Sequence, residues 1–300
     1  MPELAVEVRG LRKSYGAAEA VRGVDLQVRA GEIYALIGPN GAGKTTTLEV
    51  LEGYRARDAG EVSVLGFDPA DNATAFKERI GIVLQSTSVT QYLRVGETVD
   101  MFRGYYPHPR PLEEVLQLVG LTEVRDKLVR RLSGGQQRRL DVAAGLAGDP
   151  DLLFLDEPTT GFDPSARRAA WEMIRGLKAL GKTVLLTTHY LDEAQALADR
   201  VAIITNGRIV AEGTPDELRA RESETRISFR RPAADLPAVI TGAMDGDRVE
   251  IRTTDPTWLL HELTSWAVEN SVTFDDLSVS PITLEEVYLR VSADGDEETA

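Results

Sequence analysis

Chemistry first shows in the run Gly38-Pro39-Asn40-Gly41-Ala42-Gly43-Lys44-Thr45-Thr46, which fits the pattern G-x-x-x-x-G-K-[ST]. Its glycines let the backbone curl so that successive N–H groups face phosphate oxygens. A helix opening there adds partial positive charge. Lys44 would reach the β- and γ-phosphates of a nucleotide, and the Thr45 hydroxyl would ligate Mg2+. A second constellation lies about a hundred residues on. The apolar run Leu152-Leu153-Phe154-Leu155 delivers Asp156 and Glu157 at its C-terminal end, the edge of an α/β sheet where ligands bind. Asp156 would hold the metal through its water shell, and Glu157 could orient or deprotonate an attacking water. Alternation along a strand points the two carboxylates differently, which suits one to metal and the other to water.

The elements that must position these groups are legible as alternating strands and helices. Ile33–Ile37 is a short apolar run ahead of the glycine loop, and residues 45–52 have helical character up to Gly53. Stretches 80–84, 152–155, 184–187 and 201–204 read as further buried strands. Together they predict an α/β fold with a mainly parallel sheet covered on both faces. Residues 5–9 and 24–28 alternate with period two, as in a half-exposed antiparallel β layer. From about 86 to 150 the pattern is helical, with 95–106, 112–118 and 135–147 as candidates, and reads as a helical insertion.

Across 300 residues, 34 basic and 48 acidic side chains give a net charge of −14. That balance argues against a generic nucleic-acid binder, and the paired arginines Arg130–Arg131 and Arg138–Arg139 read as a solvated helix face or support for a phosphate site. Cysteine is absent, which excludes disulfides and Cys-ligated zinc. No apolar run is long enough to cross a bilayer, and the first eleven residues have no secretory h-region. The acidity concentrates in residues 222–300, with 17 acidic against 6 basic side chains. A boundary near 220 therefore divides a domain over 1–220 from a small acidic α+β domain over 221–300. In the latter, 226–230, 248–253 and 272–277 read as strands and 258–269 as a helix. A last helix from 284 to 291 opens on the capping box Thr283-x-x-Glu286.

The string Leu132-Ser133-Gly134-Gly135-Gln136 makes the chain resemble the ATP-binding-cassette ATPases, whose signature it is. The family's other elements follow in order over residues 4–218. Tyr15 lies where the family sets an aromatic against adenine, Gln85 where it has the Q-loop glutamine, and Asp163 after Phe162 in the D-loop. His189 stands at the switch position. Phe162 replaces the commoner leucine. The resemblance implies a P-loop cassette that binds ATP and Mg2+ (through Thr45, Asp156 and Gln85) and hydrolyses ATP. Glu157, His189 and Gln85 would form the catalytic set. It also implies that Ser133, Gly134, Gly135 and Gln136 reach the γ-phosphate held by the phosphate loop of a second cassette. One chain then cannot close a site, and two copies, or one copy with a homologous partner, pair head to tail, most simply as a homodimer.

The stretches 188–194, 207–213 and 280–289 resemble the daunorubicin-resistance-type ATPase subunits of bacterial exporters. That likeness implies a separate membrane-spanning permease and a peripheral place on the cytoplasmic face of the membrane. It also implies export of a drug, antibiotic or lipid, with residues 86–106 as the docking surface for the permease. Two other readings compete: a soluble cassette ATPase of DNA repair or translation, and a resistance protein that binds nucleotide and sequesters a drug. The single cassette, the short insertion and the lack of cysteine speak against the first; Glu157 speaks against the second.

Overall fold

Apolar runs of four to six residues become the strands of the core, and the period-two segments before them become a separate layer. The computed structural model describes residues 3–84, 91–221, 224–234, 236, 243–245 and 247–297. From the N-terminus come β1 (Leu4–Tyr15), β2 (Ala18–Arg29), β3 (Ile33–Ile37), α1 (Lys44–Leu51), β4 (Ala59–Val64), α2 (Thr74–Lys77) and β5 (Ile80–Val83). Three helices follow, α3 (Val95–Arg103), α4 (Leu112–Leu118) and α5 (Gly134–Leu146). Next are β6 (Leu152–Asp156), α6 (Pro164–Ala179), β7 (Thr183–Thr188), α7 (Leu191–Leu197), β8 (Arg200–Thr205), β9 (Arg208–Gly213) and α8 (Pro215–Arg221).

The main sheet has the order β5-β6-β7-β3-β8-β9 and is parallel except at β9, which returns antiparallel on β8. Every residue of β3, β6 and β7 is buried, as a sheet covered on both faces requires. Parallel register brings the ends of these strands to one edge, where Ile37 lies opposite Thr188 and Asp156 opposite Thr187. The loops that follow β3, β6 and β7 therefore leave from a common line. The antiparallel layer has the order β2-β1-β4. It buries Val6, Val8, Leu26 and Val28 in the same core as Tyr34, Leu48 and Phe154. β4, which carries a glycine and exposed residues at its start, is not legible as a strand from its pattern.

The expected insertion is less uniform than its helical pattern. α5 packs on α3 and also on β5. Two glycines permit the second contact: a Cβ on Gly81 would lie 2.3 Å from the Gly145 carbonyl oxygen. α5 thus joins the helical stretch to the sheet.

The chain divides into two compact units, one built on residues 3–215 with 292–297 and a smaller one on 216–291. The second contains β10 (Thr225–Arg230), β11 (Ala243–Asp245), β12 (Arg248–Thr253), α9 (Pro256–Glu269), β13 (Ser278–Pro281) and the first part, up to residue 291, of α10 (Leu284–Glu297). Its antiparallel sheet runs β11-β12-β10-β13. Ile227, Phe229, Val249 and Ile251 pack there against Leu259 and Leu263 of α9. The expected strand over 272–277 is not formed. Val272 instead donates its N–H to the Ala267 carbonyl to finish α9, and Asp276 turns with φ 54 before β13 starts at Ser278. The Thr283–Glu286 box is made, with reciprocal bonds of 2.8 and 3.3 Å. No helix among the described residues is long and apolar enough to cross a membrane.

Candidate functional site

The loop after β3 turns tightly enough that glycine is required at its two ends. A Cβ on Gly38 would meet the Ile204 carbonyl oxygen at 2.2 Å. Gly43, at φ +104, would meet that of Ala20 at 2.5 Å. Between them, Pro39, Asn40, Gly41 and Ala42 lead into α1, whose cap is Gly43 and whose first residues are Lys44, Thr45 and Thr46. Lys44 is buried, and its Nζ donates to the carbonyls of Gly38 and Pro39 at 2.8 and 3.1 Å. Burial lowers its pKa, opposed by the charges of Glu157 and Asp156.

At the neighbouring strand end, Asp156 is buried and accepts from Thr45 Oγ1 at 3.3 Å and from the Thr187 hydroxyl. Glu157 follows with φ 46, a left-handed conformation rare for a residue with a Cβ. Its N–H is shared between the carbonyl and hydroxyl oxygens of Thr187, at 3.2 and 3.1 Å. The turn aims the carboxylate away from Asp156: Glu157 Oε1 lies 3.9 Å from Lys44 Nζ and 3.3 Å from His189 Nδ1, while Oε2 accepts from Thr160 at 3.1 Å. Gly41, Gly43, Lys44, Thr45, Thr46, Glu157, Thr160 and His189 line one cleft of about 580 Å³. Of these, Thr160 is missed by sequence reasoning; a hydroxyl three residues after the glutamate is its only signal. Tyr15 stands beside α1, its hydroxyl 3.5 Å from Thr46 Oγ1, its half-exposed ring under the Arg55 guanidinium at 5.1 Å. Gln85 lies outside the described residues.

Ser133, Gly134, Gly135 and Asp163 are brought together elsewhere, in a second cleft of about 740 Å³. Ser133 caps α5 through a reciprocal pair. Its N–H donates to Gln136 Oε1 at 3.1 Å, and its Oγ accepts from the Gln136 N–H at 3.3 Å. Asp163 caps α6 by accepting from the N–H groups of Ser165 and Ala166 at 2.8 and 2.9 Å, which hold its carboxyl below the usual range. Thr160 lines both clefts.

Arg138 is not on a solvated face. It is buried, and burial lowers its pKa against the pull of Asp141, Asp156 and Glu193. A third cleft, of about 530 Å³, opens between α1, α3, β5 and α5, lined by Glu52, Tyr54, Lys77, Phe102, Tyr106 and Asp141 among others. Glu52 is buried at the C-terminal end of α1, and burial, with Asp156 and Glu49 nearby, pushes its carboxyl up to about 8.

A divalent cation fits the line between Thr45 and Asp156, a buried carboxylate whose side chain meets two hydroxyls. Among the described residues no cluster of three or more His, Cys, Asp or Glu could hold an ion by itself. Phosphate oxygens and water would have to complete its shell.

Residues 21–160 match the model of the ABC transporter family, and residues 225–283 match the C-terminal domain of ABC transporter domain-containing-like proteins. The chain is 38% identical to a daunorubicin/doxorubicin resistance ATP-binding protein of Streptomyces peucetius, over 97% of this chain and 93% of that one. It is 39% identical to the Nod factor export ATP-binding protein I of Ralstonia nicotianae, over 97% and 94%. Among solved structures, it is similar to a dimeric ATP-binding cassette in a post-hydrolysis state with ADP and Pi. That likeness has a TM-score of 0.63 at 25% identity and covers 70% of this chain and 98% of the other.

Proposed function

The chain belongs to the ABC transporter family as an ATP-binding subunit with ATPase activity, and from that premise we propose that it drives export of a drug, antibiotic or lipid-like molecule through a separate membrane-spanning permease. The observation that carries the reading is Glu157, aimed at Lys44 and His189 in the phosphate-loop cleft. A protein that only held nucleotide would have no use for that array.

In this reading the phosphate-loop amides and Lys44 hold the β- and γ-phosphates, Lys44 exchanging its loop carbonyls for phosphate oxygens. Thr45 and Asp156 hold Mg2+, which neutralises phosphate charge when bound. Glu157 accepts a proton from water as the water oxygen bonds to the γ-phosphorus. The bond to the β–γ bridging oxygen breaks, giving ADP and phosphate. His189 orients water and phosphate, Tyr15 stacks on the base, and Gln85 completes the set. Ser133, Gly134, Gly135 and Gln136 serve the nucleotide of a second copy, and Asp163 lies at the same interface. Loss of the γ-phosphate contacts then opens the pair. The cleft beside Glu52 and α3 is the docking place of the permease, which holds the chain on the cytoplasmic face of the membrane. In the same reading residues 1–220 are the ATPase domain and residues 221–300 an accessory one.

The test is to recover the tagged chain from detergent-solubilised membranes of its host and identify what comes with it. A polytopic membrane protein that stimulates ATP hydrolysis is expected. ATPase activity confined to a fraction without any such companion overturns the exporter reading.

A further inference from the structure

The turn that carries Glu157 is gripped on both sides by buried charges that do not line the phosphate-loop cleft. From α5, Arg138 donates Nη2–H to the Asp156 carbonyl at 2.9 Å, Nε–H to the Pro158 carbonyl at 3.2 Å, and Nη1–H to the Leu84 carbonyl. From α7, Glu193 Oε1 accepts from Thr159 Oγ1 at 2.8 Å and from Trp171 Nε1 of α6 at 3.1 Å. Residues 156, 158 and 159 are thus each held by one of the two groups, and Glu157, in its left-handed conformation, lies between them. Arg138 is 9% exposed and Glu193 0%.

Burying charge costs several kcal/mol per ion, and apolar residues of similar volume fill such space at least as stably. Simple packing therefore does not account for either residue. What a guanidinium does that a leucine cannot is fix three carbonyls at set angles. The two anchors also start from different places: α5 opens with Ser133, Gly134 and Gly135, and α7 follows His189 within two residues.

We propose that Arg138 and Glu193 are positioning residues that clamp the Glu157 turn, so that the carboxylate's place answers to both the signature helix and the switch-histidine loop. The inference rests on the ATPase reading of Glu157 and needs no permease. A displacement of the carboxylate by about 1 Å costs on the order of a hundredfold in rate without touching phosphate binding. Arg138→Lys keeps the charge but loses the planar fork. Glu193→Gln keeps an oxygen that can accept from Thr159 and Trp171.

The test is single-turnover ATP hydrolysis, with nucleotide titration and thermal melting of each variant. Arg138→Lys is expected to lower the rate by roughly 10- to 100-fold while nucleotide affinity stays within about twofold. Glu193→Gln is expected to stay within about threefold of the parent, and Glu193→Ala to fall with Arg138→Lys. The decisive comparison is the double variant. If Arg138 acts through Glu157, Glu157→Gln/Arg138→Lys is no slower than Glu157→Gln alone. Two losses that multiply, or an Arg138→Lys protein that turns over at the parent rate, overturn the clamp. So does a loss of nucleotide affinity that matches the loss of rate. Unimpaired turnover by Glu157→Gln would instead overturn the assignment of Glu157, a separately readable failure.

Discussion

Around the phosphate loop, Lys44, Asp156, Glu157 and His189 share a cleft or its wall and contact one another or the loop. The signature cleft offers hydroxyls, glycine amides, the Arg138 and Arg139 side chains, Asp141 and Asp163, the last of which is already occupied by the N–H groups of its own helix. The first cleft has a cation, two acids and an imidazole before any ligand arrives. The second sets hydroxyls and glycine amides at the start of a helix beside Arg138 and Arg139, which suit an anion that the chain itself does not place there. The contrast teaches that reacting groups and complementary donors are built in different clefts of one unit, which is what the proposed pairing with a second cassette would use.

The strongest way to break this comparison is to remove the reacting charge from the first cleft. Glu157→Gln is expected to lower turnover by about 10²- to 10⁴-fold and to leave an ATP-bound pair that elutes early in size-exclusion chromatography. Next, Lys44→Ala and Ser133→Arg should each abolish most hydrolysis for opposite reasons. The first weakens nucleotide binding by the single chain, and the second blocks the seat for a neighbour's nucleotide. Mixed in equal amounts, they should recover roughly a quarter of the parent rate, because half of the pairs are mixed and each holds one sound site. No recovery would mean that each chain completes its own site.

A smaller effect concerns Glu52 in the third cleft. Its carboxyl sits at about 8 when folded against an ordinary 4.5, so the folded chain keeps a proton that the unfolded chain releases. Glu52 therefore costs nothing below about pH 4.5, and its cost grows up to about pH 8 and then levels off. Glu52→Gln should match the parent near pH 5 and exceed its stability at pH 8.5 by on the order of 3 kcal/mol in denaturant titrations. Smallest of all, Arg252→Met removes a half-exposed ion pair with Glu286 at 3.0 Å. It should cost no more than about 1 kcal/mol and leave ATP hydrolysis unchanged, since the pair ties β12 to α10 within the acidic unit.

Legibility followed the same division. Glycine spacing, the lysine and the paired acids gave the first cleft away because phosphate chemistry demands those types at those intervals, and the apolar runs placed β3, β6 and β7. The grip of Arg138 was hidden, because a basic pair on a polar helix looks solvated until the chain folds Leu84, Asp156 and Pro158 around it. The contacts of Glu193 with Thr159 and Trp171 are equally non-local. In the acidic unit, alternation found β10 and β12, but 272–277 was β-rich without being paired, since helix completion and a turn claimed its backbone first.

The left-handed Glu157 has a consequence for anyone who breeds this protein for robustness. Glycine would relax that backbone, so a selection for thermal survival alone will drift toward Glu157→Gly and enrich sturdy, idle subunits. Selection must score work done per ATP if the motor is to be kept.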